Sequence, residues 1–238
     1  MSTRLLAQQL NLIETIPVNK PLMEGHCVQT FDYLIFLDFE ATCWDRYDRT
    51  KGSAEIIEFP AVFYDLRQHK ILKEFQEYVM PTERPKLSEF CNKLTGITQK
   101  QVDKGVPLQT SLLLFTRWLQ ELTTKYNLTF DSTDMRKKRC ALVTWSDWDL
   151  GTCLESECRR KQIRKSEIFN KWINLRALYE EYYNRRPLGL NGALLDVGLT
   201  FEGKQHCGLD DAKNTAFLAR KMVSDGVLLR ITKELTIN

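Results

Sequence analysis

The sequence lacks several features that would define its class. Its 238 residues contain no apolar run long enough to cross a membrane, and the N-terminus has no long apolar stretch of the kind found in signal peptides. It has no internal repeat, no low-complexity tract and no linker rich in glycine and serine. We therefore expect one intracellular domain, located in the cytoplasm and/or the nucleus.

Cysteine motifs and a strong net charge are also missing. The seven cysteines are irregularly spaced and form no Cys-x-x-Cys pair, which argues against a disulfide framework and a zinc site. The net charge of +3 indicates no particular partner. Basic residues cluster at 136–139, 159–165 and 185–186, and we interpret each cluster mainly as a solvated surface.

The residues that are present form an ordinary globular composition, 43% hydrophobic and 27% charged. Two nearly continuous apolar runs, 33–39 and 140–145, are typical of strands buried on both faces. Residues 55–66 and 70–80 predict a strand hairpin, and residues 123–139 predict a surface segment. Helices are predicted at 87–94, 98–103, 108–122, 149–161, 175–183, 192–199 and 210–223. This order predicts an α/β domain with a mixed sheet.

Two pairs of carboxylates follow the two buried strands. Asp38 and Glu40 end the first strand, and their spacing places both side chains on one face. A divalent cation would relieve their repulsion, although one could simply face solvent while the other caps a turn. Asp147 and Asp149 follow the second strand, and ligands of open α/β sheets collect at the carboxyl ends of strands. We interpret Asp147 as a helix N-cap, and Asp149 could simply complement the helix dipole.

One histidine and one further carboxylate complete the candidate set. Asp211 is predicted in the first turn of the last amphipathic helix, where it could complement the helix dipole. His206 lies five residues earlier, in a loop bounded by glycines, and loops on a rigid scaffold often carry catalytic groups. Taken alone, His206 would be an ordinary surface histidine. His26 and His69 have no acidic partner pattern, so we assign them no role.

The order of these residues resembles the DEDD exonuclease superfamily, in its histidine-containing branch. The shared pattern is Asp-Phe-Glu at a strand end, Trp-Asp after a later strand, and His followed five residues later by Asp at a helix start. The resemblance covers about residues 30–225. The wider segments resemble the Eri-type, histone-mRNA 3′-exonuclease-like group, including its short Snipper-type members: FDYLIFLDFEATCW, EIIEFPAV, FCNKLTGIT, KWINLR and HCGLDDAKN.

The resemblance implies an RNase H-like fold with a mixed five-stranded sheet flanked by helices. It also implies a 3′→5′ exonuclease that acts on single-stranded RNA, with DNA as a further substrate, and releases nucleoside 5′-monophosphates. Asp38, Glu40, Asp149 and Asp211 would hold two Mg²⁺ or Mn²⁺ ions, and His206 would be the general base. The residue types suit this chemistry, because hard cations prefer carboxylate oxygens and a base should titrate near neutral pH.

Residues beside the carboxylates are expected to contact the terminal nucleotide. Aromatic stacking is a usual means of holding a single strand. The predicted substrate-binding residues are Phe39, Thr42, Leu94, Thr95 and Trp148. The turn at 94–97 also has a plainer interpretation, a helix end with glycine after it. We assign residues 171–174 mainly to packing.

The resemblance also divides the chain. We expect an N-terminal arm at residues 1–30, the 3′-5′ exonuclease domain at 31–228 and a short C-terminal tail at 229–238. Longer members of the group carry an extra nucleic-acid-binding domain for which the arm is too short, so the resemblance gives no warrant for a stem-loop- or ribosome-directed role. No obligate protein partner is evident in the sequence. Two alternatives stay open: a catalytically inactive nucleic-acid-binding module on the same fold, and a metal-dependent phosphatase of small molecules.

Overall fold

Eight strands form a mixed sheet in the computed structural model, which describes residues 28–48, 52–131, 133–134 and 136–236. The strands in these ranges are β1 Tyr33–Leu37, β2 Glu40–Ala41, β3 Ile56–Asp65, β4 Lys70–Tyr78, β5 Leu128–Thr129, β6 Lys138–Thr144, β7 Lys171–Asn174 and β8 Lys233–Glu234. The five longer strands lie in the order β4-β3-β1-β6-β7, with β8 beside β7. The short strands β2 and β5 pair with β3 and β6.

The strand directions bring two strand ends together. β1, β6 and β7 run parallel to one another, whereas β3 is antiparallel to both β1 and β4, and β8 is antiparallel to β7. Leu37, the last residue of β1, pairs with Thr144, the last residue of β6. The residues that follow these two strands therefore emerge at the same edge of the sheet.

Helices cover both faces of the sheet. Among the described residues they are α1 Glu89–Thr95, α2 Gln99–Asp103, α3 Leu108–Tyr126, α4 Glu155–Arg160, α5 Leu175–Tyr183, α6 Gly189–Asp196 and α7 Gly208–Ser224. A π-helical turn, Trp148–Leu154, leads into α4, and a 3₁₀ turn, Glu167–Asn170, leads into β7.

Alternate residues of β1 enter two different apolar layers. Ile35 and Leu37 pack in a layer that includes Phe115 of α3. Leu34 and Phe36 pack in a second layer that α5, α6 and α7 complete. All five side chains are fully buried. Burial on both faces is the reason that the strand is a continuous apolar run instead of an alternating pattern.

The predicted mixed sheet flanked by helices is confirmed, with three two-residue strands in addition to the five longer ones. The assignment of residues 171–174 mainly to packing is confirmed, but the strand that they form, β7, was not predicted. Trp172 and Ile173 are fully buried in it. A run of four residues is too short to be distinguished as a strand by its apolar pattern alone.

Two predicted boundaries were wrong. The helix predicted at 192–199 is α6, which begins and ends three residues earlier. The surface segment predicted at 123–139 is shorter, since α3 extends to Tyr126 and β6 already begins at Lys138. Polar residues on the exposed face of α3 conceal where that helix ends.

The two ends of the described chain lie beside each other. The side-chain amide of Gln29 donates to the carbonyl of Val227 at 2.8 Å and accepts from the N–H of Leu229 at 3.0 Å. β8, within the predicted tail, pairs with β7. Residues 1–27 of the predicted arm lie outside the described residues. No helix in the described part of the chain is long and apolar enough to cross a membrane.

Candidate active site

Four predicted carboxylates come from four elements to the sheet edge beyond β1 and β6. Asp38 follows β1, Glu40 opens β2, Asp149 lies in the π-helical turn after β6, and Asp211 lies in the first turn of α7. Single oxygens of Asp38, Glu40 and Asp211 lie within 4.8 Å of one another. Asp149 joins them through its Oδ1 atom, which accepts from the N–H of Phe39 at 2.9 Å.

Burial and mutual repulsion make this cluster hard to ionise. Burial first, and then the charges of Asp211 and Glu58, raise the pKa of Glu40 to about 8. Burial likewise raises the pKa of Asp149 to about 7 and that of Asp211 to about 7. The pKa of Asp38 is raised well above its usual range, first by burial and then by the charge of Asp149. The ionised cluster therefore needs a positive charge beside it.

A fifth carboxylate, Glu58 of β3, holds α7 against the sheet. Cys207 gives this helix no side-chain cap, and the N–H of Gly208 donates instead to Glu58 Oε2 at 3.1 Å. A Cβ atom on Gly208 would lie 2.5 Å from the carbonyl oxygen of Asp38 and 2.8 Å from Cγ of Pro60. The start of α7 can approach the end of β1 so closely because residue 208 is glycine. This packing brings Asp211 beside Asp38.

Sequence analysis did not identify Glu58 or Gly208. Glu58 stands inside a strand whose residues are buried throughout, and a buried glutamate in such an apolar run is the available signal. Its partner Gln76, on the neighbouring strand, donates to Oε1 at 2.6 Å. For Gly208, only its position directly before the predicted helix was visible.

His206 lines a cleft of about 330 Å³, as do three of the four predicted carboxylates. Its exposed side chain contributes to the lining together with Asp38, Glu40 and Asp149. The backbone of His206 has a φ of 63°, in the left-handed region. The backbone of His206 lowers the pKa of Asp211 and so partly offsets the effect of burial on that carboxyl. The structure thus brings the predicted histidine and the predicted carboxylates to one place.

The predicted substrate-binding residues fall into two groups. Leu94 and the half-exposed Trp148 line the cleft. Phe39 also lines it, but its ring is 3% exposed and packs edge-on against Phe59. Thr42 and Thr95 do not belong to the lining of the cleft.

The hydroxyl groups of both threonines are committed to the backbone. Thr42 Oγ1 accepts from the N–H of Glu55 at 2.9 Å. Thr95 Oγ1 donates to the carbonyl of Cys91 at 2.9 Å and accepts from the N–H of Ile97 at 3.0 Å.

Cys43, Trp145 and Ser146 line the cleft, and sequence analysis did not select them. Trp145 and Ser146 follow β6 directly, so their position at the strand end was the missed signal.

The interpretation of Asp147 as a helix N-cap was wrong. Its side chain makes no capping hydrogen bond, and its Oδ1 atom accepts from the indole N–H of Trp172 at 2.9 Å. This contact joins the turn after β6 to the neighbouring strand β7. Asp147 therefore supports the turn in which Asp149 lies.

The basic cluster at 159–165 is largely engaged within the protein. Arg160 pairs with Glu83 at 3.3 Å. Lys161 lies between two fully buried carboxylates, those of Glu55 and Glu157, at 2.6 Å from each. These contacts join the end of α4 to Glu83, which follows β4, and to Glu55, which precedes β3. The interpretation of this cluster mainly as a solvated surface therefore does not hold for Lys161, whose side chain is 13% exposed.

The mixed sheet flanked by helices is that of the RNase H-like exonucleases. The exonuclease family model matches residues 35–219, and this chain belongs to that family. The resemblance recognised in the sequence is thereby confirmed. Among solved structures, the nuclease domain of 3'hExo, described as a DEDDh family member bound to rAMP, matches with a TM-score of 0.74 and 33% identity. The match covers 86% of this chain and 98% of that one.

Curated relatives agree with this assignment. The chain is 50% identical to the 3'-5' exonuclease Snipper of Drosophila melanogaster, over 88% of this chain and 75% of Snipper. It is 49% identical to ERI1 exoribonuclease 2 of Xenopus laevis, over 99% of this chain and 35% of that protein. The chain thus spans about a third of the length of the frog relative.

Proposed function

We propose that this chain is a 3′→5′ exonuclease that hydrolyses the phosphodiester bonds of single-stranded RNA, accepts DNA as well, and releases nucleoside 5′-monophosphates. The observation that carries the proposal is the convergence of four carboxylates and His206 on one cleft. Relatives at 49% and 50% identity are named an exoribonuclease and a 3'-5' exonuclease, which supports the same activity.

The carboxylates fit a pair of divalent cations. Asp38, Glu40, Asp149 and Asp211 would hold Mg²⁺ or Mn²⁺, because hard cations prefer oxygen ligands and because the raised pKa values of these groups reflect uncompensated negative charge. Bound ions would polarise the scissile phosphate and stabilise the leaving oxygen. A solved structure of the same fold, at 15% identity, is described as the Mg2+ and Mn2+ bound form of Pop2p.

The residues of the chain divide the remaining work. His206 takes a proton from the attacking water as the new phosphorus–oxygen bond forms. The bond from phosphorus to the 3′-oxygen of the penultimate nucleotide breaks, which leaves a shortened chain with a 3′-hydroxyl group and frees one nucleoside 5′-monophosphate. Trp148 and Leu94 line the cleft where the terminal base would lie, and the exposed Trp148 ring offers a stacking surface.

The test is a set of 5′-labelled oligonucleotides, RNA and DNA, each single- and double-stranded, incubated with Mg²⁺ or Mn²⁺. We expect a ladder that shortens from the 3′ end of the single strands, loss of activity in EDTA and recovery when Mn²⁺ is added. Asp38→Asn should be inactive, whereas Asp103→Asn, in an exposed residue at the end of α2, is the matched control.

Three outcomes would contradict the proposal. Full activity in excess chelator would exclude the metal-assisted reaction. Tight binding of oligonucleotides without shortening would indicate an inactive nucleic-acid-binding module. Hydrolysis of small phosphate esters, with no attack on oligonucleotides, would indicate a phosphatase.

A further inference from the structure

The loop that carries His206 is anchored to α7 by two side chains of that helix. The side-chain oxygen of the fully buried Asn214 accepts from the N–H of Glu202 at 2.9 Å, and its amide donates to the Glu202 carbonyl at 2.8 Å. Asp210 Oδ2 accepts from the N–H of Lys204 at 2.9 Å. The start of the loop and its middle are thus bonded to different residues.

Asp210 and Asp211 are neighbours in sequence but face different surroundings. Successive side chains of a helix point about 100° apart. Asp211 therefore faces Asp38 and Glu40, whereas the Asp210 carboxylate faces the backbone of the loop. Asp210 does not line the cleft. Asp210 can therefore influence the reaction in two ways, through the loop and through its charge, which raises the pKa of Asp211. A variant that keeps the hydrogen-bond acceptor but removes the charge separates the two.

Glycine at position 203 makes room for the Asp210 carboxylate. Gly203 has a φ of 88°, and a Cβ atom there would lie 2.4 Å from Asp210 Oδ2. His206, three residues later, also has positive φ. Left-handed backbone is unfavourable for a residue with a side chain, so the surrounding contacts must maintain this loop conformation.

The other side of the loop is bonded to the end of α1, next to Leu94 of the cleft lining. Lys204 Nζ donates to the carbonyl of Thr95 at 3.1 Å, and its side chain lies against Gly96. Lys204 therefore bridges α7, through its backbone, and the end of α1, through its side chain. A shift of its backbone would be transmitted to His206, two residues away.

We propose that Asp210 is a positioning residue for the reaction, whose bond to the Lys204 backbone holds His206 at the cleft. This inference rests on the proposed function, in which His206 is the general base. Asp210 binds neither substrate nor metal. It fixes the conformation of the loop from residue 203 to residue 206, and the reaction depends on that conformation.

The test is a double-mutant cycle between Asp210→Ala and His206→Ala, measured as kcat, KM and the rise in Tm on adding Mn²⁺. A misplacement of about 1 Å can cost about 10²-fold in rate, so Asp210→Ala should lower kcat by about 10–100-fold. KM and the Mn²⁺-induced rise in Tm should stay at wild-type values. In the His206→Ala background, Asp210→Ala should cost nothing further, because the displaced base is already absent.

Two further variants and one control test whether the effect in the double-mutant cycle comes from the loop contact. Asp210→Asn keeps an acceptor oxygen, so it should recover most of the lost turnover. Gly203→Ala disturbs the same contact from the backbone side and should show the same loss, again absent when His206 is alanine. Asp103 is the matched control, an exposed aspartate that accepts from the side chain of Gln99 at 2.8 Å. Asp103→Ala should keep wild-type turnover.

The possible failures are distinguishable. If Asp210→Ala keeps turnover within about twofold of wild type while His206→Ala is impaired, the positioning role is overturned and the general base stands. If Asp210→Ala lowers turnover by the same factor in both backgrounds, Asp210 acts on the fold and not through His206. If His206→Ala itself keeps the wild-type rate, the general-base assignment fails and the positioning role fails with it.

Discussion

At the residue scale, Asp149 and Asp147 stand two positions apart and have different partners. Asp149 is buried, and its carboxylate accepts from the N–H of Phe39, the residue between Asp38 and Glu40 in the sequence. Asp149→Asn removes a negative charge from the proposed metal ligands, so we expect a loss of at least about 10²-fold, the order seen when one charge-stabilising group is removed. Turnover of a 5′-labelled RNA at saturating Mn²⁺ measures it.

Asp147→Asn is the matched control for that substitution. The amide keeps an oxygen that can accept from the indole N–H of Trp172, so turnover should stay within about threefold of wild type. If Asp147→Asn loses activity and Asp149→Asn retains it, the proposed ligand must be moved by two residues.

His206 supports a prediction about pH. Histidine changes its charge between about pH 5 and 8, and only the neutral imidazole can accept a proton. Wild-type turnover should therefore fall toward acidic pH, and His206→Ala should be slower by about 10²–10⁴-fold without that acidic limb. The measurement is kcat between about pH 5.5 and 9 at saturating Mn²⁺.

His69→Ala is the control for the loss of a histidine. His69 lies in the turn between β3 and β4 and, like His206, has positive φ, so both substitutions place alanine in the same unfavourable backbone region. Its pH profile should match that of the wild type. An unchanged acidic limb in His206→Ala would require another general base.

At the element scale, burial pattern decides what a sequence reveals. β1 and β6 could be predicted because burial on both faces produces long apolar runs. The π-helical turn before α4 could not, since its apolar residues also fit an α-helix. Gly151 in this turn packs on the ring of Trp172, which belongs to strand β7. A Cβ atom at residue 151 would lie 3.2 Å from that ring. Contacts between elements that are distant in sequence produce no periodic pattern of apolar residues.

The docking of α7 on β1 gives a prediction at this scale. A Cβ at residue 208 would collide with the carbonyl oxygen of Asp38, which the sheet holds in place. Gly208→Ala should therefore displace the start of α7, destabilise the fold by about 1–3 kcal/mol and lower turnover by about 10²-fold. Urea unfolding and kcat together measure the effect.

Gly192→Ala is the matched control within a helix. Its Cβ would lie 3.1 Å from Cβ of Leu188, an exposed residue directly before α6, so a backbone shift of a few tenths of an ångström is enough to accommodate it. Alanine favours a helix over glycine by about 1 kcal/mol, so this variant should be as stable as the wild type or more so. A stable, fully active Gly208→Ala would show that α7 does not need the close approach.

At the scale of the whole molecule, the site joins strand ends and a helix that are distant in sequence. The meeting of Asp38 with Asp149 could be expected from strand ends at one edge, once β1 and β6 were taken as neighbours. The meeting with Asp211 could not be derived in this way, because nothing within α7 indicates where it docks. The family resemblance supplied that residue, and the contact of Gly208 with Asp38 and Glu58 gives its physical reason.

The crowded carboxylates make the stability of the whole protein depend on pH and metal. The pKa of Glu40 is raised to about 8, and the pKa values of Asp149 and Asp211 are each raised to about 7. In the unfolded chain these groups return to about 4, so between about pH 4 and 8 the folded protein binds more protons than the unfolded one. Without metal, the free energy of unfolding must therefore fall as pH rises through this window. Divalent cations bind the ionised carboxylates and should restore it.

Since one pKa unit corresponds to about 1.4 kcal/mol and 1 kcal/mol moves the Tm of a domain this size by about 2–4 °C, the titration of Asp149 alone, with a pKa of about 7, should lower the Tm in EDTA by on the order of 5–10 °C between pH 5 and pH 8. Asp211 and Glu40 titrate in the same window and add to this fall. The rise in Tm on adding Mn²⁺ should be small at pH 5 and largest at pH 8, because protons compete with the metal for the same oxygens. Asp38→Asn removes one charge from the cluster, so it should flatten the fall in EDTA and reduce the rise with Mn²⁺. A metal-free Tm that climbs with pH, or a Mn²⁺ effect that is equal at pH 5 and pH 8, would mean that these carboxylates are not the metal site.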